Sequence, residues 1–225
     1  IDASSINTIT EEAALILTLY DDPSFNIIGL EGVDIVLTDT TLTDIKVLTD
    51  LDLSTSGAIN AGSVNVMTGL LASLLALYDS QGINGIASTD YILTDTSINN
   101  ISTVNSLDLS TTGSIDASGV SLIIGLLGDT IALYDTLSGV IGIDAMNYKI
   151  TDPTINVDNL NLLNNNTTGN IDIGSVTVIT GLLVTLLTLY GSLSDISGSD
   201  AKDFMLTDTT LDDIASIITL YNYTT

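Results

Sequence analysis

Apolar residues recur along this chain in two different spacings. One spacing is helical, as in the stripe formed by Leu70, Leu71, Leu74, Leu75 and Tyr78. Equivalent stripes predict four short helices, over 13–20, 70–78, 126–134 and 182–190.

A threonine precedes three of these helices and predicts a local cap. Thr10, Thr68 and Thr180 each carry a hydroxyl that can accept a hydrogen bond from a first-turn amide. Ile124 takes the same place before the third helix and cannot cap it.

The second spacing follows short β-prone runs. These runs predict one short parallel strand in each repeat, over 34–37, 91–93, 148–150 and 204–206. A further short strand is predicted where each repeat opens, at Ile1, Ile59, Ile115 and Ile171. Apolar residues then recur every third position, as in Leu42, Ile45, Leu48 and Leu51. A strict three-residue step is typical of a 3-10 helix, or of a short bent helix with one buried edge. A glycine before each run predicts a turn with positive φ or a close backbone approach, at Gly29, Gly85, Gly142 and Gly198.

The whole pattern is periodic, with equal steps from Gly57 to Gly113 and from Gly113 to Gly169. We divide the chain into four repeats, 1–58, 59–114, 115–170 and 171–225. Each repeat resembles two half-units of unequal length, whose successive openings include Leu37, Ile59 and Leu93. A period of this size indicates a solenoid, in which stacked coils bury the apolar face that one repeat cannot bury alone.

The predicted fold is therefore an α/β repeat solenoid. Short parallel strands would alternate with short helices in about eight coils, forming a single domain over 1–225. A wholly β-solenoid is the alternative.

Charge narrows the classes of partner. The chain carries 28 acidic residues against three lysines, for a net charge of −25. Nucleic acid and anionic membrane surfaces both require basic patches, so neither is an expected partner. Divalent cations are an expected partner, and no apolar run is long enough to insert into a membrane.

Two sets of repeated acidic or amide side chains are candidate calcium sites. Calcium prefers six to eight oxygen ligands from carboxylates, amides and carbonyls. The alternative is that these side chains cap turns and short helices. The first set is Asp39, Asp95, Asp152 and Asp208, and the second is Asp2, Asn60, Asp116 and Asp172.

Catalysis lacks its usual residues. Without histidine, cysteine or arginine, we expect no enzyme and, calcium apart, no cofactor. A carbohydrate-cleaving solenoid would need clustered, non-repeating polar residues, and the acids here are evenly repeated. The recurrent Tyr20, Tyr78, Tyr134 and Tyr190 are interpreted as core-edge side chains with solvated hydroxyls rather than as an aromatic conduit.

Three motifs carry a resemblance. They are Leu-Thr-Asp-Thr-Thr-Leu at 37–42, Thr-Ser-Gly-Ala-Ile-Asn-Ala at 55–61 and Ala-Leu-Tyr-Asp-Ser at 76–80. The chain resembles, over essentially its whole length, the tandem repeats of very large secreted surface proteins of cyanobacteria and other aquatic bacteria. The resemblance implies an extracellular structural or adhesive role and carries no catalytic residues.

The two ends predict self-association. Ile1 opens a repeat, and Thr224-Thr225 match Thr111-Thr112, which lie just before a new repeat starts. Uncapped ends expose an apolar layer and strand edges, and a head-to-tail contact between them builds fibres. A piece of a longer repeat protein would show the same ends.

The expected function is a self-assembling subunit of an extracellular filament, sheath or surface layer. Its expected partners are other copies of itself, divalent cations or a cell-surface polysaccharide. The alternative is a spacer, or a calcium-rigidified segment, of a giant cell-surface adhesin.

Overall fold

A computed structural model describes residues 1–135, 139–190, 193–200, 202–210 and 213–222. Short parallel strands alternate with helices, which confirms the predicted α/β repeat solenoid and rules out the wholly β alternative. The helices of the described residues are α1 (Ala13–Asp21), α2 (Lys46–Ser54), α3 (Leu71–Asp79), α4 (Ile101–Ser110), α5 (Leu127–Asp135), α6 (Val157–Asn166), α7 (Leu183–Tyr190) and α8 (Ile214–Tyr221).

The chain forms two compact units, each with two parallel sheets. In the first unit the first sheet contains β1 (Thr8–Glu11), β2 (Asp34–Leu37), β4 (Ile59–Asn60) and β6 (Ile83–Asn84). The second sheet contains β3 (Thr41–Leu42), β5 (Val66–Gly69), β7 (Asp90–Leu93), β9 (Ile115–Asp116) and β11 (Val140–Ile141).

The second unit contains the other two sheets. The third sheet contains β8 (Ser97–Ile98), β10 (Leu122–Gly125), β12 (Asn147–Ile150), β14 (Ile171–Asp172) and β16 (Ile196–Ser197). The fourth sheet contains β13 (Thr154–Asn156), β15 (Val178–Gly181) and β17 (Asp203–Leu206). That residues 1–225 form one domain stays a prediction.

Strand pairing fixes the length of a coil. Strands of successive coils pair in parallel, as Thr8 does with Asp34 and Tyr148 with Ile171. All such pairs span nearly the same length of chain. The coils therefore do not follow the predicted alternation of a short and a long half-unit.

Two coils are shorter than one sequence repeat. Ile35 pairs with Ile59, and Ile59 pairs in turn with Ile83. The repeat equivalent of Ile35 is not Ile83, however, but Tyr91 further along the chain. Because a repeat is longer than two coils, equivalent strands of successive repeats join different sheets.

This difference in length explains why the complete sheets have five strands. Every complete sheet runs through the same five strand positions, which we number 1 to 5, as β3, β5, β7, β9 and β11 do. Position 1 is also occupied by β8 and β13, and position 3 by β2, β12 and β17. The sequence predicted the strands at position 3 and the short strands that open the repeats, which the structure places at position 4 as β4, β9 and β14. Most of the other strands are too short to show a pattern.

The core lies on the inward side of these strands. In β7, Tyr91 and Leu93 are buried while Ile92 between them is 40% exposed. This alternation is the period-2 pattern of a strand with one buried face.

The three-residue spacing belongs to a strand followed by a short α-helix. Of the two predicted forms, the 3-10 helix is wrong and the short helix with one buried edge is confirmed. Leu42 lies in β3, whereas Leu48 and Leu51 are the buried residues of α2. Steps of three drift by only about 60° around an α-helix, so two or three of them still share one apolar stripe. In α3 the buried residues are Leu71, Leu74 and Leu77, and the predicted stripe wrongly included Leu70.

Glycines allow the coils to approach closely. The predicted positive-φ turns are confirmed, with φ between 71° and 87°. A second set faces carbonyl oxygens of the coil before, and a Cβ on Gly169 would overlap the carbonyl oxygen of Met146. The side chain of Thr167 supports this contact, because its hydroxyl donates to the same carbonyl at 2.9 Å.

Replacing Gly169 by alanine should therefore destabilise the second unit, by more than about 2 kcal/mol, because carbonyl and Cβ cannot share this space. Gly128 in α5 is the matched control, since a Cβ there meets nothing within 4 Å and helix propensity favours alanine. Urea unfolding followed by circular dichroism should separate the two variants. Equal midpoints would contradict the close approach.

Candidate functional site

The first set of aspartates caps helices across coils. Each accepts a hydrogen bond through Oδ2 from the first amide of a helix that lies one coil earlier in the chain. The pairs are Asp39 with Ala13 at 2.8 Å, Asp95 with Leu71 at 2.7 Å, Asp152 with Leu127 at 2.7 Å and Asp208 with Leu183 at 2.8 Å. A carboxylate here satisfies an unpaired amide and faces the positive end of the helix dipole.

These aspartates replace the predicted threonine caps, which are wrong. Thr10, Thr68 and Thr180 lie in strands, and no side-chain cap is made by the residues preceding α1 and α3. Local sequence could not show this, because the capping residue belongs to the following coil. Ile124 is harmless for the same reason.

The second set forms local Asx turns. The side-chain oxygen of each residue accepts the amide two positions later, between Asp2 and Ser4, Asn60 and Gly62, Asp116 and Ser118, and Asp172 and Gly174, at 2.8 to 2.9 Å. Hydrogen bonds from Ser118 lower the pKa of the Asp116 carboxyl. Both sets therefore perform the capping role that the sequence left as the alternative to calcium.

A calcium role for these residues stays a prediction. Within the described ranges, no three or more acidic side chains come together as a group that could hold a metal ion. The six candidates, Asp39, Asp95, Asp152, Asp208, Asp116 and Asp172, all bond backbone amides instead.

A third repeated set of polar side chains was not identified from the sequence. Where a position-3 strand has a position-4 neighbour, the side chain of its first residue accepts the amide of the residue before the position-4 strand. The pairs are Asp34 with Ala58, Asp90 with Ser114 and Asn147 with Asn170, at 2.6 to 2.8 Å. A polar residue at the start of each predicted β-run was the available signal.

Tyr20, Tyr78 and Tyr134 are partly buried at the core edge, as predicted, whereas Tyr190 is buried. The hydroxyls are not simply solvated. Each donates to a backbone carbonyl at 3.0 Å, as Tyr78 does to Ile86 and Tyr134 to Ile143. Tyr78 also meets Tyr91 and Tyr134 meets Tyr148, with 2.7 Å between hydroxyl oxygens. The aromatic partners thus come from position-3 strands rather than from other members of the same set.

Burial raises the pKa of several of these tyrosine hydroxyls. Desolvation first, and then the neighbouring tyrosine, raises the pKa of Tyr91 and of Tyr148 well above the ordinary value. Desolvation raises the pKa of Tyr190 to about 12. The folded chain therefore favours the neutral phenol.

The lysines offer little compensation for the acidic surface. Lys46 pairs with Asp50 on α2, which is the one ion pair among the described residues. Lys202 is buried, and its Nζ donates to the carbonyl of Val176 at 2.6 Å. At the equivalent place Thr89 donates its hydroxyl to the carbonyl of Val64. Lys202 therefore completes a backbone contact between coils.

The two end faces expose positions that the other repeats bury. Ile1 is 80% exposed, whereas its equivalents Ile59, Ile115 and Ile171 are fully buried. Ile214 is 71% exposed, whereas its equivalents Ile45, Ile101 and Val157 are at most 7% exposed. We call the surfaces around Ile1 and Ile214 the end faces. They are the strongest candidate interaction surface, because the other repeats show how the next coil covers these positions.

No protein-family model, curated protein or solved structure is similar enough to this chain to count as a match. Among the helices described, none combines the length and the apolar character needed to cross a bilayer.

The interpretation of Asp95 as a cap makes a direct prediction. Asp95→Ala should lower the free energy of unfolding by about 0.5–2 kcal/mol, because the first amide of α3 loses its acceptor. Asp79→Ala removes the same charge from the last residue of α3 and should be neutral or slightly stabilising. Thermal unfolding of both variants, with calcium and with chelator, is the measurement. A calcium-dependent gain in wild type that Asp95→Ala abolishes would instead make Asp95 a ligand.

The tyrosine pairs predict sensitivity to alkali. Since the folded pKa is raised, the stabilisation is complete below the unfolded pKa of about 10 and is lost as pH rises towards the folded value. Replacing both Tyr91 and Tyr148 by phenylalanine should flatten the fall in melting temperature between pH 9 and 11. Tyr221→Phe, at a 65% exposed position, is the control. A double variant with the wild-type slope would refute this origin of the pH dependence.

Proposed function

We propose that this chain is a structural protein whose copies join head to tail into an extracellular filament, sheath or surface layer, and that it is not an enzyme. The observation that carries the proposal is the exposure of Ile1 and Ile214 at positions buried in every other repeat. A second copy offers the same kind of coil that covers these positions inside the chain.

The apolar gain supports association. Fully burying an isoleucine is worth roughly 1.5–3 kcal/mol. Ile6 adds to the gain, since it is 44% exposed while its equivalents Val64, Val120 and Val176 are buried. Open strand edges at the same faces offer backbone hydrogen bonds as well.

The negative net charge of each copy opposes association, so ionic strength should control it. Two copies that each carry −25 repel one another at low ionic strength. The Debye length falls from about 10 Å at 0.1 M salt to about 3 Å at 1 M, so salt should promote joining. Calcium would do so at lower concentration, and a neutral or cationic cell-surface polysaccharide would be a compatible partner.

An extracellular location is part of the proposal. The resemblance to secreted bacterial surface repeats supports it, as does the acidic, repetitive composition of the chain. The capping aspartates keep spare lone pairs, so calcium that is abundant outside the cell is a proposed, weakly held ligand.

The second candidate is a spacer segment of a giant adhesin, rigidified by calcium. The same burial pattern favours it, because further coils of one long chain would cover the end faces just as a second copy would. A spacer consisting of residues 1–225 alone would stay monomeric but would be stiff.

Negative-stain electron microscopy of the purified chain, from low to high salt and with calcium or chelator, tests the choice. We expect unbranched fibres one solenoid wide that grow with protein and salt concentration, and sedimentation velocity should show the corresponding oligomers. A chain that remains monomeric at high concentration in every buffer would contradict self-assembly and favour the spacer.

A further inference from the structure

Two of the four sheets have fewer than five strands among the described residues. In the described residues the first sheet begins at position 2, with β1, and the fourth sheet stops at position 3, with β17. The bridge between Asp2 and Ile28 joins segments equivalent to positions 4 and 5, with no strand before them. Positions 4 and 5 are the positions that have no strand in the fourth sheet, as far as the structure describes the chain.

We propose that β17 of one copy pairs in parallel with the first residues of a second copy, with Phe204 opposite Ile1 and Met205 opposite Asp2, and that Glu11 of the second copy sets the strength of this joint. The proposal rests on the self-assembly proposed above and specifies its register.

The register follows from three internal examples. Position-3 and position-4 strands pair Ile35 with Ile59, Tyr91 with Ile115 and Tyr148 with Ile171. Phe204 is the fourth member of the position-3 series, and Ile1 is the repeat equivalent of the three isoleucines. The joint would bury Ile1 as its equivalents are buried.

A polar contact in the same register supports the pairing. Asp34, Asp90 and Asn147 each accept a backbone amide next to the position-4 strand. Asp203 opens β17 at the equivalent place and is exposed. In the joint its carboxylate would face the main chain at the start of the second copy.

The helix side of the joint contains one mismatch. Inside the chain three apolar side chains pack on glycines so closely that a Cβ on the glycine would overlap them. The pairs are Ile45 on Gly69, Ile101 on Gly125 and Val157 on Gly181. Ile214 is the fourth apolar member of this series.

Glu11 stands where the other repeats have these glycines, at the end of the position-2 strand. Docking in the internal register would therefore bring Ile214 against a glutamate. The Glu11 carboxylate accepts the amide of Glu12 through Oε1 at 3.1 Å. Pressing it on isoleucine would remove the water from its other lone pairs without supplying a new partner, which weakens the contact. Glu11 thus limits association while leaving the register unchanged.

The Glu11→Gly variant tests this role. It copies the residue of the other three repeats, so the fold should tolerate it, and it removes both the charge and the Cβ. Glu12→Gly is the matched control, since it makes the same charge change one residue away at a helix N-cap, where glycine is tolerated. Light scattering and sedimentation should show that the critical concentration for assembly falls at least about fivefold more for Glu11→Gly. Equal effects would overturn the role of Glu11.

Single cysteines test the register, because the chain has none of its own. Asp2→Cys and Met205→Cys are purified separately, mixed under assembly conditions and treated with a short bismaleimide. Covalent dimers are expected in the mixture and not in either protein alone. Ile92→Cys, at the internal position equivalent to Met205, replaces it in the control mixture and should give none, because Ile92 already faces Asp116 within its own sheet.

The results of the assembly and cross-linking experiments distinguish the proposed self-assembly from the proposed register. Fibres without cross-linked dimers would overturn this register while leaving self-assembly standing. Failure to form fibres or oligomers under any condition would overturn both. Dimers in both mixtures would show non-specific contact and would also overturn the register.

Discussion

Parallel backbone pairing between successive coils is the constraint on which the rest of this protein depends. A sequence repeat that is longer than two such coils does not close after two turns, so every repeat moves on to another sheet. The five-strand limit and the recurrence of each side chain in a new sheet both follow from this mismatch. The close approach at Gly169 and the Oδ2 of Asp95 on α3 are local consequences, since each joins residues one coil apart.

How much of this the sequence could predict depends on the range of each interaction. The helices α1, α3, α5 and α7 and the strands β2, β7, β12 and β17 were found from apolar spacing, because that signal is local. Very short strands such as β6 are invisible to such a pattern. The Asp95 cap and the Tyr78–Tyr91 pair were missed because their partners are fixed only by the coil length. Repetition marked these residues as important, but it suggested metal sites for side chains that bond backbone amides.

We propose that function in this chain resides in surfaces rather than in a pocket. Ile1 and Ile214 are exposed at positions that the other repeats bury, and the proposed joint would cover them with the kind of contact that stabilises one coil on the next. Charge and Glu11 would restrain that association. Stability and assembly would then use one set of contacts, and Glu11→Gly would strengthen assembly by restoring the internal pattern.

Hydrogen exchange measured by mass spectrometry, at low and at high protein concentration, would show which segments the proposed association covers. We expect association to slow exchange in segments 1–6, 203–206 and 214–221, and to leave the internal strand 90–93 unchanged. Protection confined to other surfaces, or no concentration dependence in a sample that forms fibres, would contradict it.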